Sequence, residues 1–544
     1  MRVSPSVSKL PTDRRAIASL TGGGLGFQGL VMSRRLLSLA AFFAALALAG
    51  TVAAQSQTYT IKHWSEVAGD TSVTLNGETF VNHGLVGVGR LGAATRDFKN
   101  DTLGSFSGMA LDLASWRRLA DGTYTGALLT LPDRGPNSVG PFVGTTDYAN
   151  RVHRHRLVFT PADGLLKIRP MGGFLLKDQT GQSFTGKDPG ANVLTRGGVR
   201  YPSPLTGEGA GRISLDSEAI AFLPDGGFYV SDEYAAGIYL FDRTGQQIGA
   251  IQTVPALLPV TAGQLNFNAE KPPQTGRRNN QGLEALSVSP DGTRLFAILQ
   301  SATIQDTAGA DAATRNNTRV LVYDISQTRT PKAPIGHYVL QLPTVRENGD
   351  GFPGSGLAAD VTAAQSEMLA LNDHQFLVLA RDGNGRGKGT TKAPVFKSVL
   401  LVDIADATNL AGTSYEQDVK PVAQGGVLRP EITPVRQAEL VNLLNPSQLA
   451  KFGLNLSTAP SDRFSLSEKW EAMALAPVLN RHAPHDVFLL IGNDNDFETA
   501  DGRINGQAFD ASLTNVGGSG SGDNDSVILV YRLTLPTFLG RPDH

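Results

Sequence analysis

A short phrase recurs at separated points of this 544-residue chain, and it constrains the fold more than any other feature. In each full copy, a glutamate is followed by a short run of small and apolar residues. The full copies are residues 217–222, 283–288, 366–371 and 470–475, and a fainter copy at 107–111 has Ser107 in place of the glutamate. Repetition of one local unit indicates a repeat architecture, in which each copy supplies the same part of a larger assembly.

The residues around each copy predict a pair of strands. Pro-Asp-Gly at 224–226 and 290–292 is the chemistry of a tight turn. A second apolar strand follows each turn and ends in polar residues. These endings are Asp133-Arg134, Asp232-Glu233, Gln300-Ser301, Arg381-Asp382 and Asn493-Asp494. The alternative is a helix, because Glu, Ala and Leu are strong helix formers. The turns that follow so closely favour strands instead.

A third strand closed by an aspartate often follows, as at 238–242, 320–325 and 399–404. Small antiparallel sheets repeated along a chain predict an all-β fold, a β-propeller of four-stranded blades. The spacing of the copies predicts six blades, and five to seven are compatible with it. We expect residues 177–212 to form a loop excursion and 434–452 a helical insertion. We also expect the strand at 527–533 to close the ring with N-terminal strands at 59–64 or 85–91.

In such a ring, the start of each blade's first strand and the end of its second strand lie on the same face. The repeated glutamates and the polar endings should therefore share one mouth. Its acidic members would be Glu218, Glu284, Glu367, Glu471, Asp133, Asp232, Glu233, Asp382 and Asp494. Carboxylates are the hard oxygen ligands that Ca²⁺ prefers, so we expect a calcium site here. The candidate metal ligands are Glu218, Asp232, Glu233, Glu284, Glu471 and Asp494.

Basic residues are interleaved with these acids. The candidate substrate-binding residues are Arg134, Arg277, Arg278, Arg381 and Lys469. Calcium together with guanidinium groups suits an anionic substrate, because Arg matches phosphate with two parallel hydrogen bonds. The candidate catalytic residues are Asp133, Arg134, Glu218, Glu284, Arg381 and Glu471. In the alternative interpretation, the acids and bases pair with one another in a salt-bridge ring that closes the channel, and the sequence leaves this open.

The N-terminus has the pattern of an export signal. Arg34 and Arg35 precede an apolar run at 36–48, and small residues at 52–54 suit cleavage. The run is shorter than the ~20 residues that a bilayer span needs, although a permanent membrane anchor is the alternative. We expect an upstream extension at 1–31, a signal peptide at 32–54 and a single domain at 55–544, exported to the periplasm or the medium. The chain has no Cys, which excludes disulfides and a lipoprotein anchor. We expect a monomer.

Charge argues against a nucleic-acid partner. Residues 1–54 contain six Lys or Arg and one Asp, out of totals of 48 basic and 50 acidic residues, so the mature chain has a formal charge of −7. No basic stripe is visible in the sequence. His153 and His155 lie two residues apart among Arg151, Arg154 and Arg156. We expect an exposed basic strand at this point rather than a metal site.

Five motifs along the chain carry a family resemblance. They are Asp133-Arg134-Gly135-Pro136-Asn137, Asp216-Ser217-Glu218-Ala219-Ile220, Asn280-Gln281-Gly282-Leu283-Glu284-Ala285-Leu286, Leu377-Val378-Leu379-Ala380-Arg381-Asp382 and Lys469-Trp470-Glu471-Ala472-Met473. Over residues 85–533 the chain resembles the bacterial phytase-like family, described as having esterase-like activity of phytase. The resemblance implies a secreted hydrolase of phosphoesters or esters without fixing the substrate. One departure is Ala380, where many relatives have an acidic residue ahead of the arginine.

The sequence thus predicts a secreted, calcium-assisted hydrolase of phosphate esters. Glu218, Glu284 and Glu471 would hold the ion, water would be the nucleophile, and Arg134 and Arg381 would orient an anionic small-molecule substrate. Two alternatives remain. The first is a non-catalytic propeller that binds a ligand or a protein over the same mouth, and the second is a calcium-dependent, lactonase-like esterase.

Overall fold

The computed structural model describes residues 65–350, 356–387, 392–458, 460–518 and 520–538. Every described residue belongs to one compact unit. The expected extension at 1–31, the signal peptide at 32–54 and the strand at 59–64 lie outside the described residues. In the described part of the chain, no helix has the length and apolar character needed to cross a bilayer.

The described residues form an all-β fold built from four-stranded antiparallel groups. Two N-terminal strands come first, β1 (Thr71–Leu75) and β2 (Glu78–Leu91). The first group is β3 (Gly108–Arg118), β4 (Tyr124–Leu131), β5 (Arg151–Thr160) and β6 (Leu165–Leu175). A hairpin follows, β7 (Val193–Arg196) and β8 (Val199–Pro202). The second group is β9 (Ser217–Phe222), β10 (Phe228–Asp232), β11 (Gly237–Phe241) and β12 (Gln247–Ile251).

The third and fourth groups repeat this order, with short hairpins between them. The hairpin β13 (Val260–Thr261) and β14 (Gln264–Leu265) precedes the third group, β15 (Leu283–Val288), β16 (Arg294–Leu299), β17 (Asn317–Asp324) and β18 (Gly336–Gln341). Next come β19 (Thr344–Val345), β20 (Val361–Thr362), β21 (Ala364–Ala370), β22 (Gln375–Arg381), β23 (Lys397–Asp403), β24 (Ala423–Gln424), β25 (Val427–Leu428) and β26 (Arg436–Asn442). The fourth group consists of β21, β22, β23 and β26.

The fifth group joins the two ends of the described chain. Its strands are β27 (Lys469–Pro477), β28 (Asp486–Asp494), β31 (Ser526–Thr534) and β2, with the hairpin β29 (Gly502–Ile504) and β30 (Gln507–Phe509) inserted. β31 pairs antiparallel with β2, as expected for ring closure by the strand at 85–91. Helices are short and lie in connections: Ser414–Gln417, Pro446–Ala450 and Leu513–Val516, with 3-10 turns at Pro255–Leu257, Ile304–Asp306 and Ala312–Thr314.

The first strands of the five groups form a closed cycle. β3 packs against β9, β9 against β15, β15 against β21, β21 against β27, and β27 against β3. This cycle is compatible with the expected propeller. In the described residues, parallel pairing of β2 with β6 joins the first and fifth groups into one nine-stranded sheet, so the expected count of six blades stays a prediction. Inner strands approach closely in a small ring. A Cβ added at Gly108 of β3 would lie 2.6 Å from the Glu218 carbonyl oxygen of β9.

The segment 434–452 corrects one sequence expectation. Its apolar residues recur at helical spacing, yet residues 436–442 form β26, the fourth strand of the fourth group, and only Pro446–Ala450 is helical. Pairing with β23 buries Val441 completely and Leu440 almost completely. Burial of apolar side chains against a preformed sheet outweighs local propensity, which is a weak preference.

The basic strand β5 is only half exposed, which is a second correction. Arg154 and Arg156 are exposed, but the alternate residues His153 and His155 are buried. Successive side chains of a strand point to opposite faces, so one strand carries both sets. The carboxylate of Asp97 lies 3.2 Å from Nε2 of His153, and Nη1 of Arg151 donates to the same Asp97 oxygen at 2.7 Å. We interpret this cluster as a structural ion pair beneath the sheet.

Candidate functional site

The four repeated glutamates all lie in inner strands. Glu218, Glu284, Glu367 and Glu471 occupy β9, β15, β21 and β27, and each is buried, with at most 7% of the residue exposed. Ser107, at the corresponding point before β3, donates its hydroxyl to Oδ2 of Asp494 at 3.3 Å. The repeat in the sequence therefore corresponds to a repeated position at the start of each inner strand.

A β-bulge re-aims three of these side chains. The pairing register between the first and second strands of a group shifts at Glu284 and at Glu471. In the second group it shifts at the pair Glu218-Ala219, which lies opposite Ser231. In the fourth group the shift falls one residue earlier, at Ser366, so Glu367 is paired with Leu379. A bulge leaves its extra residue outside the ladder and changes the direction of the side chain. Three glutamates therefore differ from the fourth in how the backbone presents them.

Glu367 has hydrogen-bond partners in the backbone, although the charge of Glu284 also acts on its carboxyl group. Its Oε1 accepts a hydrogen bond from the backbone N–H of Met368 at 2.8 Å, and the Leu286 backbone N–H also hydrogen-bonds to it. Burial nevertheless raises the pKa of Glu367 well above its usual range. We therefore leave Glu367 out of the proposed ligand set.

One electrostatic cluster contains the remaining three glutamates. Its charged side chains influence one another directly, and the carboxyl groups outnumber the cations. The carboxyl groups belong to Asp133, Asp216, Glu218, Glu233, Glu284, Glu471, Asp494 and Asp496, and the cations are Arg134, Arg381 and Lys469. The cluster draws on the first, second, third, fourth and fifth groups, so it lies where the inner strands meet. A buried excess of carboxylates requires either protonation or a bound cation.

Two features of the cluster fit a divalent metal ion. Asp216, Glu218 and Glu233 each offer an oxygen, and these oxygens all lie within 4.8 Å of one another. Among the described residues, none provides a hydrogen-bond partner for the buried Oε2 of Glu284, whereas its Oε1 accepts from Gln300 at 2.6 Å. Burying a carboxylate oxygen without a partner is costly, and an oxygen-binding cation would compensate it. The residues present therefore fit a hard divalent ion.

The protonation preferences of these acids differ across the site. Burial, with repulsion from Glu284, raises the pKa of Glu218 and of Glu233 well above the usual range. Burial and the charge of Glu471 do the same to Glu284. For Glu471, burial also works toward a higher pKa, but the positive charges of Lys469 and Arg381 outweigh it and lower the pKa. On one side of the site, burial and mutual repulsion thus raise the pKa of Glu218, Glu233 and Glu284, and on the other side two cations lower the pKa of Glu471.

Arg134 is fixed at the edge of the acid-rich side. Its Nη1 donates to Oδ2 of Asp216 at 2.6 Å and also to Oδ1 of Asn280. The backbone of Asn280 is left-handed, with φ 48°, a conformation that asparagine tolerates better than most residues. Among the described residues, no acceptor reaches the buried Nε of Arg134. The guanidinium is therefore held in place with one donor unused.

Arg381 and Lys469 provide the positive charge on the opposite side. Arg381 donates through Nη2 to Oε1 of Glu471, and its buried Nε likewise has no acceptor in the described part of the chain. Nζ of Lys469 lies 2.7 Å from Oδ1 of Asp496 and 3.6 Å from Oδ2 of Asp494. Lys469 is the more exposed of the two, with 29% of its side chain accessible.

Four other residues of the predicted mouth have structural partners. Asp232 accepts from the N–H groups of residues 216, 234 and 235 and from the Tyr239 hydroxyl. Asp382 accepts from three backbone N–H groups and from Nζ of Lys397. Arg277 is fully buried and donates only to backbone carbonyl oxygens. Arg278 donates to the Thr307 hydroxyl, and burial lowers its pKa to about 10.

Sequence reasoning missed three residues of the site. Asp216 immediately precedes the copy at 217–222, Asn280 lies three residues before the copy at 283–288, and Asp496 follows the polar strand ending Asn493-Asp494. Their positions within or beside the motifs were visible, but their side chains lie outside the repeated glutamate position. Only the ring geometry shows that Asp216 faces Arg134 and that Asp496 faces Lys469.

Comparison with solved structures adds little. The chain aligns with the allergen Mala s 1 of Malassezia sympodialis at 9% identity, covering 78% of this chain and 83% of that one, with a TM-score of 0.27. It aligns with the PQQ-bound aldose sugar dehydrogenase of Streptomyces coelicolor at 11% identity, covering 86% and 100%, with a TM-score of 0.26. Similarities this weak carry no argument about fold or function.

Sequence comparison is decisive for the family. A protein of Arthroderma benhamiae (strain ATCC MYA-4681 / CBS 112371), described as an "Uncharacterized secreted protein", is 35% identical over 466 residues, 78% of this chain and 88% of that protein. Because that relative is fungal, the expected restriction to bacteria is not supported. Residues 102–497, which include every charged residue of the cluster, match the family described as "Phytase-like: Esterase-like activity of phytase". The chain belongs to this phytase-like family.

Proposed function

We propose that this protein is a calcium-assisted hydrolase of phosphate esters whose active site is the charged cluster at the centre of the ring. One observation carries the proposal. Within the described residues, the same buried cluster holds one acceptor without a hydrogen-bond partner, Oε2 of Glu284, and two such donors, Nε of Arg134 and Nε of Arg381. A cation would bind the Glu284 oxygen, and an anionic oxygen group would accept hydrogen bonds from the two arginine nitrogens. A phosphate ester bound to a metal ion supplies both groups.

The acid-rich side is the proposed metal site. Asp216, Glu218, Glu233 and Glu284 would hold the ion, because all four offer oxygen ligands, and burial with mutual repulsion raises the pKa of the three glutamates. Glu471 was expected among the ligands, but it borders this set and is engaged by Arg381. When bound, calcium would neutralise and polarise the phosphate group.

The two arginines are the proposed anion-binding groups. Each has one nitrogen in an ion pair with a carboxylate, Arg134 with Asp216 and Arg381 with Glu471, and no described residue accepts a hydrogen bond from either Nε. These ion pairs fix the guanidinium planes before substrate arrives. Donors fixed in advance stabilise developing charge without reorganisation, which is the largest catalytic effect in many enzymes. Lys469, more exposed, would attract the substrate at the mouth.

Proton transfer is assigned to two further carboxyl groups. Glu471, held ionised, would accept the proton of the attacking water. The water oxygen bonds to phosphorus as the ester P–O bond breaks, and the leaving alcohol oxygen needs a proton. Asp133 is half-buried, and burial together with the charge of Asp216 raises its pKa to about 7. A carboxyl group with such a pKa holds a proton near neutral pH and can donate it to the alcohol.

Limited access supports a second candidate function. Glu218, Glu284 and Glu471 are only 7%, 3% and 4% exposed, and four ion pairs already join acids to bases within the described cluster. A non-catalytic propeller that binds a ligand at the more exposed residues Lys469 and Asp496 would need no access to the glutamates. A lactonase-like esterase has no separate observation in its favour.

A substrate panel with and without chelator tests the proposal. We expect purified protein to hydrolyse at least one phosphate ester with calcium, and the activity to disappear with chelator. The variant Glu218→Gln/Glu284→Gln should lose both hydrolysis and the stabilisation by calcium. Arg134→Ala is the matched control. It should keep the calcium effect and weaken the handling of the anionic substrate. Hydrolysis only of carboxylic esters would favour the esterase alternative, and a calcium effect without hydrolysis would favour the binding propeller.

Export is a further part of the proposal. The Arthroderma relative is described as secreted, and the N-terminal 54 residues of this chain have the pattern of a cleavable signal. We propose that the mature protein begins at Gln55 and functions in the periplasm or the medium. N-terminal sequencing of the exported protein checks this, and a mature chain that retains residues 1–54 would contradict it.

A further inference from the structure

The outer strands of the first group carry a basic face that the proposed active site does not use. Arg154 and Arg156 of β5 alternate with buried histidines, and Lys167 and Arg169 of β6 alternate with buried Leu166 and Ile168. The pairing register sets Arg156 directly opposite Arg169 and Val158 opposite Lys167. The four cations, Arg154, Arg156, Lys167 and Arg169, therefore share one exposed face. We call this set the basic face.

The basic face has no counter-charge of its own. In the described ranges, none of its four side chains takes part in an ion pair or a side-chain hydrogen bond. Like charges set directly opposite on neighbouring strands destabilise a sheet, so the pair Arg156 and Arg169 is unfavourable without an external anion. The nearest acidic residues by register and sequence are Asp112, which accepts from the Ala114 N–H, and Asp163 in the β5–β6 turn. A chain with a net negative charge thus concentrates unpaired positive charge here.

Exposed apolar residues lie at both ends of the same stretch of β6. Leu165, at its start, is 43% exposed, and Met171, beyond Arg169, is 62% exposed. Cations flanked by exposed apolar side chains match the boundary between lipid headgroups and acyl chains. Basic residues contact the phosphates there, and apolar residues enter the boundary. A soluble acidic polymer would make no use of Leu165 and Met171.

We propose that the basic face docks this protein peripherally on an anionic phospholipid surface. Arg154, Arg156, Lys167 and Arg169 would contact headgroup phosphates, and Leu165 and Met171 would insert at the interface. The contact is reversible and needs no anchor, and it is independent of the hydrolase activity. The sequence predicts an exposed basic strand at Arg154 and Arg156, but Lys167 and Arg169 join these two residues only through the register of β5 with β6.

Co-sedimentation with lipid vesicles tests the proposal. We expect the protein to bind vesicles that contain phosphatidylglycerol, not pure phosphatidylcholine, and to dissociate as salt rises from about 0.05 M to about 0.5 M, which shortens the screening length. Arg156→Gln/Arg169→Gln should weaken binding about thirtyfold, since each basic residue near an anionic surface contributes roughly a factor of five. Met171→Ser should weaken it further without changing its salt dependence.

A charge-matched control separates the basic face from general electrostatics. Lys271 and Lys332 are exposed and lie outside it, and Lys271→Gln/Lys332→Gln removes the same charge. We expect this variant to bind vesicles like the wild type. Equal loss in both double variants would overturn the proposal, as would equal binding to neutral vesicles. Binding to an acidic polysaccharide but not to anionic vesicles would also overturn it and assign the face to a polymer. Unfolding measured in urea establishes that each variant is folded.

Discussion

Glu284 and Glu471 occupy equivalent bulges of two inner strands, yet their carboxyl groups have opposite electrostatic environments. Burial and the charge of Glu471 raise the pKa of Glu284, whereas Lys469 and Arg381 outweigh burial and lower the pKa of Glu471. Neighbouring titratable groups whose environments separate their pKa values are typical of acid and base pairs in active sites. The repeat supplies the two positions, and the neighbours decide what each carboxyl group does.

The pair of Arg381 and Glu471 leads to the first prediction. Arg381→Met removes the partner of a buried carboxylate, and it should lower the free energy of unfolding by about 3 kcal/mol. Arg381→Met/Glu471→Gln removes both charges and should recover much of the loss. Urea unfolding of the wild type, both single variants and the double variant gives the coupling energy. Additive effects of the two changes would show that the ion pair is not a functional unit.

The second prediction distinguishes structural carboxylates from metal ligands. Asp232→Asn replaces an acceptor of four hydrogen bonds with a group that can accept only some of them, and it should destabilise the fold by about 2 kcal/mol. Because the Asp232 carboxylate is occupied, the added stabilisation by calcium should be unchanged. Thermal unfolding with calcium and with chelator checks this. Loss of the calcium effect in Asp232→Asn would return Asp232 to the ligand set.

The third prediction concerns acid sensitivity. His155 is fully buried, and burial lowers its pKa to about 3. Between pH 6 and pH 4 an unfolded chain binds a proton at this histidine and the folded chain does not, so stability falls as pH falls. One such proton changes the free energy of unfolding by about 1.4 kcal/mol per pH unit. His155→Gln should reduce the slope by that amount. A slope that His155→Gln does not change would mean that His155 is protonated in the folded protein.

Much of the fold could be predicted from the sequence, because its local signals agree with one another. The Pro-Asp-Gly turns at 224–226 and 290–292 connect the predicted strand pairs, and the closing strand pairs with β2 as expected. The segment 434–452 was mistaken for a helix because its apolar spacing suits either structure, and only pairing with β23 decides between them. His153 and His155 were placed on an exposed strand because a single sequence does not show which alternate face is buried.

The sequence predicts which residue types make up the candidate site, but not which carboxyl groups face the site and which have structural partners. The repeated glutamate marks Glu218, Glu284 and Glu471, whose carboxyl groups act on one another electrostatically. A bulge displaced by one residue leaves Glu367 paired with Leu379 in the ladder, and no sequence pattern reports a bulge. Asp232 and Glu233 are adjacent in the chain, yet one accepts four hydrogen bonds in a turn and the other joins Asp216 and Glu218. Such differences follow from side-chain direction, which the sequence does not specify.

The most direct test of the central claim is the thermal stability of chelator-treated protein as calcium is added. At about a hundredfold excess over its dissociation constant, calcium should stabilise the wild type by ~2.7 kcal/mol. Glu218→Gln/Glu284→Gln should show no calcium effect. Without calcium it should be at least as stable as the wild type, because it relieves the repulsion between the two carboxyl groups. A wild type that calcium does not stabilise, or a variant stabilised equally, would contradict a metal site at the centre of the ring.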